Sequence, residues 1–231
     1  MSPSQSADIV IKNKLLAALP RRDYNRLRQH LETVTLPINK ILYEPDEIIR
    51  HAYFCNDAVV SLVSIFADGK SVEVGLVGNE GMAGIQIILG GRSPRTRGIV
   101  QISDGAERIT AKALKLEFDR GGALHDILLR YVSLLFTQVS QTAACNRTHR
   151  LESRLARWLL MVHDRVDSDE FRLTQDLISQ MLGTTRPEVT IAASLLQHEQ
   201  LIKYTRGRMR VIDRPGLESA ACECYLMGGG F

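Results

Sequence analysis

The chain has 231 residues, 45% of them hydrophobic, and a formal net charge of +3. This length and composition suffice for two modest globular domains with a real core. No apolar run reaches the roughly 18 residues of a membrane-spanning helix. The N-terminal residues also lack the continuous apolar stretch of a secretory signal peptide. We therefore expect a cytoplasmic protein without membrane contact.

Residues 15–32 have the spacing of a short amphipathic helix interrupted near Pro20. From Thr35 to Phe118 the apolar residues instead alternate or form short blocks separated by Gly, Asp and Pro. This pattern predicts strands of a β-sandwich or barrel. Two such runs flank Asp68-Gly69, which predicts a hairpin with a type I′ turn.

A helical period returns at Leu124 and predicts a helix of about 25 residues, roughly 38 Å long. Its 3–4 spacing selects Leu124, Leu128, Tyr131, Leu135, Gln138, Thr142, Cys145 and His149. A core contact and a dimer seam explain this row equally well, because the heptad spacing persists beyond the needs of a small core. A second helix is predicted near 152–166, followed by a loop over 167–171. Its inward residues are Leu155, Trp158, Leu159 and Val162.

Residues 173–198 predict two helices around a tight turn. Thr174 is a good N-cap for a helix over 175–182, and Gly183 ends it. Thr185 and Glu188 form a capping box for the next helix, whose first turn tolerates Pro187. This arrangement is a helix-turn-helix. The residues predicted to share its core are Ile178, Leu182, Val189, Ala193 and Leu196.

A basic hairpin is predicted directly after these helices. The segments "LIKY" and "MRVI" are two short strands joined by "TRGR", which makes the helix-turn-helix a winged one. Helix N-termini bind phosphates, and arginines neutralise phosphate charge. Two clusters of basic residues stand out. Each can bind phosphate or can simply be a charged surface exposed to solvent. They are Lys203, Arg206, Arg208, Arg210 and Arg214, and Arg147, Arg150, Arg154 and Arg157, the latter at the spacing of one helix face.

The segment "LTQDLISQMLGTTRPEVTIAASLLQHEQLIKY" and, more weakly, "VGLVGNEGMAGIQIILGG" resemble the Crp/Fnr (catabolite activator) family of bacterial transcription regulators. The resemblance covers nearly the whole chain and implies an α+β fold. It places a cyclic-nucleotide-binding-like jelly roll (the β-roll) over residues 1–120, a dimerisation helix over 121–149 and a winged helix-turn-helix over 150–231. It also implies a homodimer on near-palindromic double-stranded DNA, with half-sites about 34 Å apart. RNA polymerase is a further partner of an activator, although no motif marks a surface for it.

The resemblance also assigns site residues by position. Base-facing positions are Arg186, Pro187, Thr190 and Ile191, and phosphate-contacting positions are Thr174, Gln175 and Thr185, beside the wing arginines Arg206, Arg208 and Arg210. Arginine to guanine is the commonest base contact. Many members have Glu at the position of Pro187 and Arg at that of Ile191, so the target sequence should differ from the familiar ones. Pro187 and Ile191 can contact thymine methyls or simply pack, and for Ile191 we favour packing.

The effector pocket of cyclic-nucleotide-binding relatives uses a Gly-Glu pair for the ribose and an Arg-Ser/Thr pair for the phosphate. Here Gly84-Ile85 stands at the first pair and Arg95-Thr96 at the second. Because Ile85 accepts no hydrogen bond, we expect no tight binding of cyclic AMP. Two possibilities then remain. The protein binds a different effector, or it acts without an effector and is controlled by its own abundance. His30 or His51 alone does not predict haem.

The four cysteines are Cys55, Cys145, Cys222 and Cys224. No N-terminal cluster for an iron–sulfur centre is present. Cys222-x-Cys224 lacks a zinc spacing and a second ligand pair, so we expect no metal and no cofactor. Cys145 would meet its counterpart across a dimer axis, but nothing predicts the lowered thiol pKa of a redox switch.

Two other functions remain for comparison. One is a sensing module for a small molecule or cyclic nucleotide, whose winged helix contacts proteins; the basic wing favours phosphate instead. The other is an enzyme, which we do not expect, because the sequence has no nucleophile elbow, P-loop or paired metal ligands. His163-Asp164 is the polar end of a helix. The terminal "GGGF" is expected to be disordered.

Overall fold

The computed structural model describes residues 11–90 and 94–227, so the expectation for the terminal "GGGF" lies outside the described residues. The fold is α+β, with N-terminal antiparallel sheets, a long helix and a C-terminal helix-turn-helix, which confirms the predicted class. None of the described helices combines the length and apolar character needed to cross a membrane.

Two short helices open the described chain on either side of Pro20. They are α1 (Lys14–Ala17) and α2 (Arg21–Arg28). The side chain of Asn13 caps α1 by accepting from the Leu16 amide at 3.2 Å. The predicted break near Pro20 is confirmed, but the helix ends at Arg28 because the chain enters a sheet at Glu32.

Two four-stranded antiparallel sheets form the β-roll and enclose an apolar core. The strands are β1 (Glu32–Leu36), β2 (Ile41–Tyr43), β3 (His51–Cys55), β4 (Val59–Ile65), β5 (Ser71–Val77), β6 (Met82–Ala83), β7 (Arg97–Ile102) and β8 (Asp104–Thr110). One sheet has the order β1-β8-β3-β6 and the other β2-β7-β4-β5. The predicted strand region extended too far, because residues 111–118 lie in a helix, α3 (Ala111–Asp119). Thr110 caps that helix, and Leu114 and Phe118 pack inward one helical turn apart.

The β4–β5 hairpin is confirmed, but its type I′ turn is wrong. Ile65 pairs with Ser71, which leaves a loop of residues 66–70. A type I′ turn needs positive φ at both central residues, and here Gly69 (φ 82°) has it while Asp68 does not. The Asp68 carboxylate instead accepts from the Lys70 amide at 3.1 Å.

The long helix α4 (Ala123–Thr148) has 26 residues, close to the prediction. Its predicted seam, however, faces the β-roll of its own chain. Leu124, Leu128 and Tyr131 are buried, and the Tyr131 hydroxyl donates to the Met82 carbonyl at 3.1 Å. Gln138 is buried as well: its Oε1 accepts from the Leu76 amide at 2.6 Å and its Nε2 donates to the Leu76 carbonyl at 3.2 Å. These buried residues are therefore core contacts, which is the first of the two interpretations that the spacing left open. Leu135 and Thr142 of the same row are half-buried.

The C-terminal part forms a second core. Its elements are α5 (Leu151–His163), β9 (Glu170–Arg172), α6 (Gln175–Leu182), α7 (Arg186–His198), β10 (Ile202–Thr205), β11 (Arg208–Val211), α8 (Arg214–Ala220) and α9 (Cys224–Met227). The inward residues predicted for α5 are buried. The loop predicted over 167–171 contains β9 instead, because buried Phe171 pairs with Met209.

The four arginines from Arg147 to Arg157 do not share one helix face. The chain leaves α4 at His149 and is extended at Arg150 (φ −64°, ψ 154°) before α5 begins. Arg147 stays exposed, whereas Arg157 is only 5% exposed. The predicted continuous basic face was wrong.

The two parts of the chain share buried contacts. Val59, Val63 and Leu76 of the β-roll belong to the same apolar cluster as the C-terminal core. Within that contact the Trp158 indole donates to Glu73 at 2.9 Å, and Arg165 pairs with Glu80 at 2.8 Å. Burial raises the pKa of Glu73 to about 7, against smaller lowering effects from its hydrogen-bond partners and nearby arginines.

Candidate nucleic-acid interface

The turn between α6 and α7 has the geometry that its residues predict. The Thr174 hydroxyl accepts from the Leu177 amide at 3.1 Å and starts α6. Gly183 ends α6 in the left-handed region (φ 61°), where the absence of a Cβ removes the steric cost. The Thr184 amide then donates to the Ser179 carbonyl at 3.0 Å. These caps are confirmed, as is the buried face that α6 and α7 share.

Glu188 anchors the N-terminus of α7. Its carboxylate accepts from the amide of Thr185 at 2.9 Å and from the hydroxyl of the same residue at 2.8 Å. The Thr184 hydroxyl is a third donor to the same oxygen. These hydrogen bonds, led by that from Thr184, lower the pKa of Glu188 to about 2. The capping box is therefore present, and it fixes the first turn of α7.

One face of α7 is buried and the opposite face is open. Val189 and Ala193 lie in the core, whereas the positions assigned to base contact are all exposed: Arg186, Pro187, Thr190 and Ile191. Ile191 is 64% exposed, so the favoured interpretation that it packs was wrong. Ser194 and Leu195 extend the open face by one turn. They were not predicted from the sequence, although they continue the same helical spacing.

Arg186 is oriented by the preceding helix. Its Nε donates to Gln175 Oε1 at 3.2 Å, and its guanidinium lies 3.8 Å from an Asp176 carboxylate oxygen. The side chain of Arg186 nevertheless remains 63% exposed. The first turn of α6 thus positions Arg186 at the N-terminus of α7. Asp176 contributes to this contact, although it was not predicted from the sequence.

The wing is a hairpin of β10 and β11 with its turn at Arg206-Gly207. Both residues have positive φ, 50° and 75°, as a type I′ turn requires. The Gly207 carbonyl accepts from the Leu173 amide at 2.9 Å, which places the tip of the wing beside the N-cap of α6.

The wing arginines differ in their partners. Arg208 lies 3.2 Å and Arg210 3.9 Å from the Glu170 carboxylate, while no ion pair joins Arg206 to any described residue. Arg214, grouped with them by sequence, is not on the wing. It begins α8 and pairs with Asp164 at 2.6 Å.

The residues assigned to an effector pocket lie in different surroundings. Ile85 is buried in the apolar core beside the β-roll, and Gly84 precedes it with φ 92°. Arg95 is 89% exposed and pairs with Asp46 at 3.1 Å on the surface. Three of the cavities among the described residues are lined by other side chains.

The cysteines are arranged differently from the sequence prediction. Cys145 is buried within its own chain, 3.5 Å from Cys222 between sulfur atoms, and so does not face a partner. Cys224 and His149 complete a cluster with them, which makes the expected lack of a second ligand pair wrong. The i, i+4 spacing of Cys145 and His149 was the signal available in the sequence. Burial raises the pKa of Cys145 and Cys222, the latter to about 12.

Comparison with known proteins agrees with this architecture. Residues 153–220 match the model of the Crp-like helix-turn-helix domain. Among solved structures, a transcriptional regulator of the Crp/Fnr family from Eubacterium rectale is 16% identical, covering 90% of this chain and 97% of its own with a TM-score of 0.70. FixK2 from Bradyrhizobium japonicum is 15% identical, covering 83% of this chain and 98% of its own (TM-score 0.71).

A CRP-family transcriptional regulator from Thermus thermophilus is 20% identical and covers 81% of this chain and 96% of its own, with a TM-score of 0.69. The sequence matches no curated protein. Residues 153–220 are a Crp-like helix-turn-helix domain, and the chain carries that domain on the fold of the Crp/Fnr regulators.

Proposed function

We propose that this protein is a sequence-specific DNA-binding transcription regulator of the Crp/Fnr type and that it acts as a homodimer. The observation that carries the proposal is the open face of α7, with Arg186 held at its N-terminus and the basic wing beside it. In a helix-turn-helix the second helix lies in the major groove and its N-terminal residues contact base edges. Arg186, Pro187, Thr190 and Ile191 are the side chains that we assign to the bases.

Phosphate contacts would come from the ends of the helices and from the wing. Thr174, Gln175 and Thr185 lie at helix N-termini, where the helix dipole favours anions. Arg206, Arg208 and Arg210 add positive charge on the hairpin. The tip of the hairpin adjoins the start of α6, so the wing and the N-terminus of α6 would face the same DNA backbone.

Arg186→Ala should weaken binding to the specific site by about 1–3 kcal/mol and relax the preference at one base pair. The physical reason is the loss of a guanidinium that pairs with a guanine edge. Binding constants on the selected site and on its single-base variants measure the effect. Arg28→Ala, an exposed arginine of α2, is the control. Unchanged specificity in Arg186→Ala would remove that residue from the base-reading set.

Arg208→Ala should weaken binding to all DNA sequences alike and flatten the dependence of log K on log salt by about one unit. Glu170→Gln should act in the opposite direction, since it frees Arg208 and Arg210 from their shared carboxylate. A salt titration on one specific and one unrelated duplex measures both effects. A loss confined to the specific duplex would show that Arg208 reads bases rather than phosphate.

The dimer would form on the exposed side of α4 rather than on the predicted row. Leu129 and Phe136 are 43% and 72% exposed and lie one heptad apart. The small exposed residues Ser133, Ser140 and Ala143 continue the stripe at 3–4 spacing. A stripe of this kind suits a second copy of the same helix, because large apolar side chains spaced by a heptad can insert between the small residues of the facing helix.

Cyclic AMP should not bind tightly. Ile85 offers no acceptor for a ribose hydroxyl, and Arg95 is engaged with Asp46 on the surface instead of facing a buried phosphate. We expect no saturable heat of binding when the nucleotide is titrated into the protein. Saturable binding that Arg95→Ala abolishes would contradict this.

A further inference from the structure

Four side chains with metal-binding atoms meet where the long helix ends. Cys145 and His149 lie one turn apart at the C-terminal end of α4, and Cys222 and Cys224 lie on the segment that follows α8. Their sulfur and ring-nitrogen atoms are all within 4.8 Å of one another. All three cysteines are buried and His149 is half-buried.

The spacing of these atoms suits a single tetrahedral ion. Zinc–sulfur and zinc–nitrogen bonds of about 2.3 and 2.0–2.1 Å place neighbouring ligand atoms roughly 3.6–3.8 Å apart. The Cys145 and Cys222 sulfurs are 3.5 Å apart, and the Cys224 sulfur is 3.5 Å from Nδ1 of His149. The other separations are within 4.8 Å, so side-chain shifts of up to about 1 Å would give tetrahedral coordination. An iron–sulfur cluster, which inserts several atoms between its thiolates, needs more separation.

Hydrogen bonds from neighbouring residues orient the side chains of the cluster, as residues around the ligands of known metal sites do. Nε2 of His149 lies 3.2 Å from the Glu223 carboxylate, which leaves Nδ1 directed towards Cys224. Metal-binding histidines commonly donate their second nitrogen to a carboxylate in this way. The Gln141 amide also donates to the Cys224 sulfur at 2.9 Å.

Two arginines beside the cluster provide the charge that such a site needs. Three thiolates and one divalent ion carry a net charge of −1. Arg157 is 5% exposed, and Arg154 is half-buried. Arg154 donates to the Leu182 carbonyl and Arg157 to the Thr142 hydroxyl, and the buried Nε of each arginine lacks a hydrogen-bond partner among the described residues. Glu73 lies near Arg157 and Glu188 near Arg154, and a negatively charged metal–thiolate group would add to the compensation of these two cations.

We propose that Cys145, His149, Cys222 and Cys224 bind one zinc ion. Sulfur donors exclude magnesium and calcium, and three cysteines with one histidine form a closed structural set rather than a catalytic one. The ion would attach the segment after α8 to the end of α4, at the junction between the long helix and the Crp-like domain. Its role would be to fix that junction. The site stands independently of DNA binding.

The test uses the purified full-length chain, prepared under reducing conditions, incubated with zinc and dialysed. We expect about one zinc per chain by mass spectrometry of the elements, released when a mercurial blocks the thiols. Cobalt in place of zinc should give the visible bands of a tetrahedral ion and a sulfur-to-cobalt charge-transfer band. Cys222→Ser and His149→Ala should lose most of the metal, whereas Cys55→Ser, whose thiol is buried in the β-roll, should keep it.

Three results would overturn the proposal. They are wild-type protein that retains no zinc after dialysis, equal zinc in the cluster variants and in Cys55→Ser, and a Cys145–Cys222 disulfide in place of the metal. The cobalt spectrum of the wild-type chain decides the question even where a variant fails to fold. DNA-binding assays play no part in it, so failure here leaves the proposed regulator function standing.

Discussion

Phe136→Glu should convert the proposed dimer into a monomer and lower its affinity for a site with two half-sites by about 10²–10⁴-fold. Phe136 is 72% exposed at the centre of the stripe that we assign to the dimer. A carboxylate there would be buried against its own copy and repelled by it. The affinity falls because each recognition helix would then bind alone, without the effective concentration that its partner provides. Sedimentation equilibrium measures the mass, and titration of full-site and half-site duplexes measures the affinity.

Leu116→Glu is the matched control for this substitution. Leu116 is 54% exposed on α3, outside the stripe. It should leave both the mass and the affinity unchanged. A dimer that survives Phe136→Glu would place the interface elsewhere, and equal loss in both variants would indicate a general effect of the added charge.

The wild-type protein should become less stable as the pH rises from about 4.5 to 7, and Glu73→Gln should abolish this decrease in the free energy of unfolding. The pKa of the buried Glu73 carboxyl is raised from 4.5 to about 7, mainly by burial. Over that range the folded state holds a proton that the unfolded chain has released, so stability falls as the pH rises. A shift of this size corresponds to about 3 kcal/mol. Below pH 4.5 both states are protonated, and above 7 both are ionised.

The quantity to compare is the change in the free energy of unfolding between pH 4 and pH 8, from urea titrations. Glutamine keeps an oxygen that can accept from Trp158, so the variant should retain the contact between the β-roll and α5. The wild-type chain should lose about 3 kcal/mol more than Glu73→Gln over this interval. Glu47→Gln, an exposed residue, should follow the wild type. Identical pH profiles for wild type and Glu73→Gln would show that ionisation of Glu73 does not lower the free energy of unfolding, which would contradict the raised pKa.

The sequence was sufficient to predict those parts of the structure that depend on interactions between residues close together in the chain. Thr174, Gly183 and the Thr185–Glu188 box act within one helical turn, and each was identified from residue type and spacing alone. The exposed face of α7 followed from the same period. These interactions involve backbone groups a few residues away, so the rest of the fold has little influence on them.

The features that the sequence did not reveal depend on distant contacts. Both sides of α4 carry a heptad row, and only the sheet that packs against it decides that Leu128 and Gln138 face inward while Phe136 faces outward. The strand β9 exists because Met209, far along the chain, pairs with Phe171. The metal-binding cluster joins residues that lie more than seventy positions apart, at the ends of two helices. No window of sequence contains such information.

The most direct measurement is selection from random DNA by the purified protein without added ligand, followed by titration of the recovered sequences at several salt concentrations. The proposed function predicts an inverted repeat with half-site centres about 10–10.5 base pairs apart, bound far more tightly than unrelated DNA. Recovery of no common sequence, with only weak and strongly salt-dependent binding to every duplex, would contradict a dimer that reads its site unaided.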